Sequence, residues 1–152
     1  MRVTPGAWAV LAVLLGPGLL GLGPLRAAEC DVSVSFIDFG RVDPEDGGEV
    51  TGEVAVLCEG PTRFRLALSP GMGDFQERRM RGPDGRSLRY NIYLDPARRT
   101  VWGDGLTAGT GRLVGRNDGR RHTILAVYGR VARGQRMVAG QYADSLVVAV
   151  EP

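Results

Sequence analysis

The sequence predicts an all-β protein, an antiparallel sandwich or barrel, and three observations carry the prediction. Apolar and polar residues alternate in several short segments, which is the two-residue period of a half-buried strand. Clusters of Gly, Pro, Asn and Asp separate these segments, in a chain with 23 Gly and 9 Pro. No segment combines a helical period with helix caps, so the 152 residues favour one β domain.

The first 28 residues have the layout of an export signal. Arg2 supplies a positive start, the apolar run 7–15 follows, and Ala27 and Ala28 offer small residues for cleavage. The alternative is a membrane anchor, but Gly and Pro residues interrupt the apolar stretch after position 15. We expect 1–28 to be a signal peptide and 29–152 to be the mature domain, exported through the inner membrane to the periplasm.

The mature chain has two cysteines, Cys30 and Cys58. An even number in an exported chain suggests one disulfide. The alternation around each cysteine and the turn cluster at 43–48 fold the two segments into an antiparallel pair, with Cys30 level with Cys58. The alternative is a pair of buried free thiols. A metal site would need more ligands, and His122 is the one histidine.

Three further strands follow in order, at 63–68, 88–94 and 123–128, with turn signals at 70–73, 82–86 and 117–119. The Gly- and Thr-rich stretch 103–115, around Leu106 and Leu113, is expected to be a mobile loop or an irregular edge. Trp102, just before it, is either a core residue or an exposed adhesive aromatic, and the core interpretation is the favoured one.

The final segment, 145–150, is apolar on both faces. A continuous apolar run predicts a central strand with a neighbour on each side. The chain ends two residues later, however, and an exposed apolar edge of this length would invite pairing with another chain.

Charge and motifs argue against several classes of function. The formal net charge is +2 and the basic residues, all arginine, are scattered, so we expect no binding to nucleic acid. The acidic cluster Asp43, Glu45 and Asp46 lies in a turn and lacks the ligand spacing of a calcium loop. No nucleophile elbow or phosphate-binding loop occurs, and His122 is read as a surface residue. We therefore expect no enzymatic activity, no cofactor and no small-molecule substrate.

Several pieces of the mature chain, in order, resemble the spore coat protein U domain family, whose members include subunits of archaic (Csu-type) chaperone–usher pili. The resemblance covers about 30–152. The matching pieces are Cys30, Asp38-Phe39-Gly40, Val56-Leu57-Cys58-Glu59-Gly60, Phe64-Arg65-Leu66-Ala67-Leu68, Arg79-Met80, Leu88-Arg89-Tyr90-Asn91-Ile92-Tyr93, Val127-Tyr128-Gly129-Arg130-Val131 and Ala139-Gly140-Gln141-Tyr142-Ala143-Asp144-Ser145.

The resemblance implies an immunoglobulin-like sandwich that lacks its last strand. A periplasmic chaperone, and then a neighbouring pilus subunit delivered at an outer-membrane usher, would lend a strand to the groove, so that subunits join into a fibre at the cell surface. The walls of the groove would be the first and last strands, although an ordinary complete sandwich would bury the same positions. The expected groove residues are Val32, Val34, Phe36, Leu146, Val148 and Val150.

One departure from the family bears on the position in a fibre. Shaft subunits carry an apolar extension ahead of the first cysteine, whereas cleavage after Ala28 leaves almost nothing before Cys30. Such a subunit would accept a strand but not donate one, which suggests an end of the fibre and a part in adhesion or biofilm formation. The alternative is a self-contained secreted binding module, with a ligand site in loops such as 103–119.

Overall fold

The computed structural model describes residues 29–35 and 37–151, and within them the chain is built from strands. A 3-10 turn, Pro83–Gly85, lies between the fifth strand and the sixth strand. No helix of the described residues is long and apolar enough to cross a membrane. The strands are β1 (Cys30–Val34), β2 (Gly48–Cys58), β3 (Pro61–Leu68), β4 (Met72–Gly73), β5 (Arg78–Arg81), β6 (Ser87–Tyr93), β7 (Val101–Trp102), β8 (Thr110–Gly111), β9 (Leu113–Asp118), β10 (Thr123–Val131) and β11 (Val148–Glu151).

The strands form two sheets. The larger has the order β1-β2-β10-β6-β5-β4, with β7 paired to β6 and β8 paired to β7. The smaller has the order β11-β3-β9. All pairings are antiparallel except that of β7 with β8. The predicted fold class, an all-β sandwich, is confirmed.

Two short connections determine how the sheets stack. The chain passes from β2 to β3 through residues 59–60, and from β9 to β10 through residues 119–122. Buried Asn117 holds β9 against the end of β2. Its side chain donates a hydrogen bond to the carbonyl oxygen of Val56 and accepts one from the amide of Cys58. Strand β9 thus packs against β2 and β10, and β3 directly follows β2. It follows that β1, beyond β2, and β11, beyond β3, lie at the same edge of the sandwich.

The core is formed by the inward positions of both sheets. Trp102 is fully buried, and its indole Nε1 donates to the carbonyl oxygen of Leu66 over 2.8 Å, which confirms the core interpretation of this residue. The buried apolar residues are Val32, Val54, Val56, Cys58, Phe64, Leu66, Leu68, Met80, Leu88, Tyr90, Ile92, Trp102, Leu113, Val127, Val131 and Val148.

The segment between β1 and β2 does not close a simple hairpin. The predicted register, Cys30 opposite Cys58, is correct. Beyond Ser35, however, the chain crosses the inner face of the larger sheet, where Ile37 and Phe39 lie against two buried glycines, Gly52 and Gly129. A Cβ at Gly129 would lie 2.8 Å from the Phe39 ring, so glycine is needed for this close approach.

Two sequence expectations are wrong in detail. The last strand begins at Val148 rather than Ser145, and among the described residues it pairs with β3 alone, so it is an edge strand and not a central one. The stretch 103–115 is not one irregular loop, because β8 and the start of β9 fall in it and Leu113 is buried. A third feature, the complete burial of Arg78, was not predicted either way.

Candidate functional site

The candidate site is the edge of the sandwich at which β1 and β11 lie. Strand β1 pairs with β2 and strand β11 pairs with β3; within the described residues neither strand has a partner on its other side. The chain directions follow from the topology, since both strands pair antiparallel with neighbours joined by a reversing turn. Strands β1 and β11 therefore run in opposite directions on either side of the opening.

Hydrogen bonding shows which residues of β1 face the opening. The amide of Ser35 donates to the carbonyl oxygen of Glu53, and the carbonyl oxygen of Glu29 accepts from Glu59, so these odd-numbered residues direct their backbone groups toward β2. Successive residues of a strand direct their backbone groups to opposite sides. Cys30, Val32 and Val34 therefore direct their N–H and C=O groups away from β2 and toward the opening.

The same reasoning applies to β11. The carbonyl oxygen of Val147 accepts from the amide of Ser69, over 2.9 Å, so Val147 and the residues two and four positions later face β3. Leu146, Val148 and Val150 therefore direct their backbone groups toward the opening. Both sides of the opening present strand backbone of the kind that pairs with an added strand.

The side chains at this edge are apolar and incompletely covered. Val32 and Val148 are buried in the core. Four side chains that pack beside them are only half-buried: those of Cys30, Val34, Leu146 and Val150. Further burial of such side chains would be favourable, by about 25 cal/mol for each Å² of apolar surface removed from water.

A disulfide between Cys30 and Cys58 holds the exposed strand β1 to its neighbour. The Cα atoms of the two cysteines are 3.9 Å apart, in directly opposed positions of β1 and β2. The structure thus contains the disulfide predicted from the sequence, and the described residues include no free cysteine.

Five of the six predicted groove residues lie along this edge: Val32 and Val34 on β1, Val148 and Val150 on β11, and Leu146 just before β11. Phe36 lies outside the described residues, as do the predicted signal peptide and Pro152. Their use as a strand-accepting groove stays a prediction.

Sequence reasoning missed a polar cluster that supports the start of β11. Asp144 accepts hydrogen bonds from the hydroxyl of Tyr90, over 2.7 Å, and from the amide of Met72, over 3.2 Å. Burial, followed by the hydrogen bond to Asp144, raises the pKa of Tyr90 well above its usual value near 10. Tyr90 and Asp144 occur in the pieces that resemble the family, and that was the available signal.

Arg78 lies beside this cluster. Its guanidinium donates to the carbonyl oxygens of Ser69 and Trp102 and to the side chain of Asn91. Burial lowers the pKa of Arg78 to about 10, so the group stays protonated at neutral pH. Arg78 lies on β5, and its three acceptors lie on β6 (Asn91), directly after β3 (Ser69) and at the end of β7 (Trp102). The hydrogen bonds therefore join these four segments.

Away from the edge formed by β1 and β11, the carboxylates of Asp104 and Asp43 accept hydrogen bonds within their own loops. Asp104 caps the 104–110 loop, because it accepts from the amides of Leu106 and Thr107 and from the hydroxyl of Thr110. The Asp43 carboxylate accepts from the amide of Glu45 within its turn. In residues 29–35 and 37–151, no three His, Cys, Asp or Glu side chains come together as a metal site would require.

Comparison with known proteins identifies a matching family and a solved structure with a similar fold. The family described as Spore Coat Protein U domain matches residues 18–149, and this match begins inside the predicted signal peptide. Among curated proteins, none matches the chain.

One similar solved structure is the CsuC–CsuE chaperone–tip adhesion subunit pre-assembly complex from archaic chaperone–usher Csu pili of Acinetobacter baumannii. A chain of that complex superposes with a TM-score of 0.61 and 19% identity, over 82% of this chain and 40% of that chain. The match thus covers less than half of that chain, and the likeness establishes a shared fold.

Proposed function

Because the chain belongs to the Spore Coat Protein U domain family, we propose that it is a structural subunit of a chaperone–usher surface fibre, completed by a strand from a partner. One observation carries the proposal: β1 and β11 lie at the same edge of the sandwich with half-buried apolar side chains, and among the residues described each has one unpaired side. The family is structural, and the protein is not an enzyme.

The geometry specifies the strand that would fit. A strand laid antiparallel to β11 would run parallel to β1, because β1 and β11 run in opposite directions. Its inward side chains would be apolar at every second position, and would cover Val34 and Val150. Its outward side chains would be free to be polar.

The partners follow from this assembly route. A periplasmic chaperone would supply the strand first, and another subunit would replace it at an outer-membrane usher. A terminal place in the fibre, with a part in adhesion or biofilm formation, rests on the short segment expected ahead of Cys30.

Thermal unfolding of two versions of the mature chain, Glu29 to Pro152, tests the proposal. One is the chain alone. The other carries a linker after Pro152 and a donor strand from an extension-bearing subunit of the same system. We expect the strand to raise the midpoint by at least about 10 °C, because it buries the half-exposed edge.

A control tail of the same length, with its alternate apolar residues replaced by serine, separates strand insertion from a general effect of the tail. A cooperative, equally stable monomer with and without the donor would sink the proposal. That result would favour a self-contained binding module.

A further inference from the structure

The outer face of the smaller sheet carries a group of arginines, here called the arginine face. Arg63 and Arg65 point outward from β3, and Arg116 points outward from β9. Arg63 and Arg116 are directly opposite in the strand register, which is unfavourable for two like charges. Two carboxylates share this face: Glu151 of β11 lies opposite Arg65 and pairs with Arg112, and Asp118 points outward at the end of β9. Among the described residues, none of the three arginines has an ion-pair partner.

The outer face of the larger sheet, near β1, has the opposite charge. Asp31 points outward from β1 and Glu53 from β2, and the exposed Glu29 and Glu59 lie at the nearby strand ends. We call these four residues the acidic face. They too lack ion-pair partners among the described residues.

This separation of charge is a property of the whole mature sequence. Nine of the 17 acidic residues fall between Glu29 and Glu59, where Arg41 is the one basic residue. The strands that build the arginine face come later in the chain. The negative charge of one face and the positive charge of the other therefore come from different parts of the sequence. The fold places these parts in different sheets.

Each face also exposes one large apolar side chain. Val114 is 62% exposed and lies opposite Arg65 on the arginine face. Ile124 is 54% exposed and lies on β10, opposite Ala55 and on the same outer surface as Glu53. An apolar centre within a polar rim is the usual arrangement of a protein–protein interface, and Arg is enriched in such interfaces.

We propose that the arginine face of one copy docks on the acidic face of a second copy. The two faces belong to opposite sheets of a sandwich, so they point in opposite directions. A contact between unlike faces leaves one of each free on every pair, and successive copies can add without closing. The contact goes beyond the proposed function, because it uses the outer faces of the sheets rather than the edge at β1 and β11.

A second copy fits these observations better than an anionic polymer does. A polyanion would neutralise the arginine face but would leave the acidic face unpaired and would make no use of Ile124. A second copy pairs both charged faces and brings Val114 against Ile124. Complementary charge is also what directs one protein surface to another in the correct orientation.

Sedimentation velocity of the exported chain, at low salt and again at about 0.3 M salt, tests the proposal. We expect reversible association that weakens with added salt. The variant Arg63→Glu with Arg116→Glu should associate at least about tenfold more weakly, because like charges would then face each other. The variant Asp31→Arg with Glu53→Arg should show the same loss.

Mixing the two variants should restore association, because the native acidic face of the first meets the native arginine face of the second and the two reversed faces are complementary as well. The control variant Arg86→Glu with Arg133→Glu makes the same change in net charge at exposed sites away from both faces. It should leave association unchanged. Near-ultraviolet circular dichroism establishes that each variant is folded.

Two results would overturn the proposal. One is a chain that remains monomeric at low salt, or whose association survives both reversals. The other is binding of polyphosphate through the arginine face without self-association, which would assign that face to an anionic polymer. Repeating the measurement with the donor strand fused distinguishes this contact from strand exchange, because a filled edge blocks only the latter.

Discussion

The guanidinium of Arg78 donates a 2.7 Å hydrogen bond to the carbonyl oxygen of Trp102, inside the sandwich and with both side chains completely buried. The same guanidinium reaches the carbonyl oxygen of Ser69 and stacks over the ring of Phe75, 5.5 Å from its centroid. One charged side chain thus ties together segments that are distant in sequence.

Replacing Arg78 with methionine should destabilise the fold by roughly 3–5 kcal/mol, because it leaves several buried acceptors without donors. Chemical denaturation measures the loss. Arg79→Met is the matched control, since Arg79 is exposed and its ion pair with Glu77 lies at the surface; its cost should stay below about 1 kcal/mol. Similar costs for the two variants would show that Arg78 has no such role.

Removing the disulfide should cost about 3–4 kcal/mol, because the Cys30–Cys58 bond closes a loop with a sequence separation of 28. The measurement is denaturation of the oxidised protein with and without reductant. The double variant Cys30→Ala with Cys58→Ala should match the reduced protein and should not respond to reductant. A response of that variant to reductant would mean that the effect arises elsewhere.

Alkaline pH should destabilise the protein through Tyr90. The folded state keeps Tyr90 protonated because its pKa is raised, whereas an unfolded tyrosine ionises near pH 10. The stability from this group is complete below about pH 10 and falls above it by up to about 1.4 kcal/mol per pH unit. Denaturation at a series of pH values should show a shallower fall for Tyr90→Phe. An equally steep fall for Tyr90→Phe would show that the alkaline loss arises from another group.

A side chain at Gly129 should displace the segment that crosses the larger sheet. Its Cβ would approach the Phe39 ring to 2.8 Å and Val50 Cγ1 to 2.9 Å, so Gly129→Ala should cost about 1–3 kcal/mol. Gly60→Ala is the control, because no atom of residues 29–35 and 37–151 lies within 4 Å of the added Cβ there. Combining Gly129→Ala with Phe39→Ala should cost less than the sum of the two changes, and strict additivity would argue against the contact.

Mass spectrometry of the exported protein should give a chain that begins at Glu29. This start leaves no strand to donate ahead of Cys30 and is required for the terminal place in a fibre. A chain that begins near Gly18, where the family match starts, would retain an additional segment and would contradict that placement.

Much of the local structure was predictable because the pleat of a strand repeats every two residues. The alternation around Cys30 and Cys58 predicted β1, β2, their register and the disulfide. Patterns of the same kind predicted the strands that contain Phe64, Tyr90 and Val127. They also predicted the inward side of the first two, whereas the third strand is apolar on both faces and its inward side had to come from the structure.

The sequence by itself determined the fold class, the family and the pairing of the cysteines, since these depend on short-range patterns and on the order of motifs. Only the tertiary structure decided that Val148 lies on an edge strand, that Arg78 is buried and that Phe39 crosses the sheet over Gly129. These features depend on which sheet each strand joins and on contacts between distant segments. Burial and exposure at the edge follow from that packing, because a local pattern specifies a strand's faces but not its neighbours.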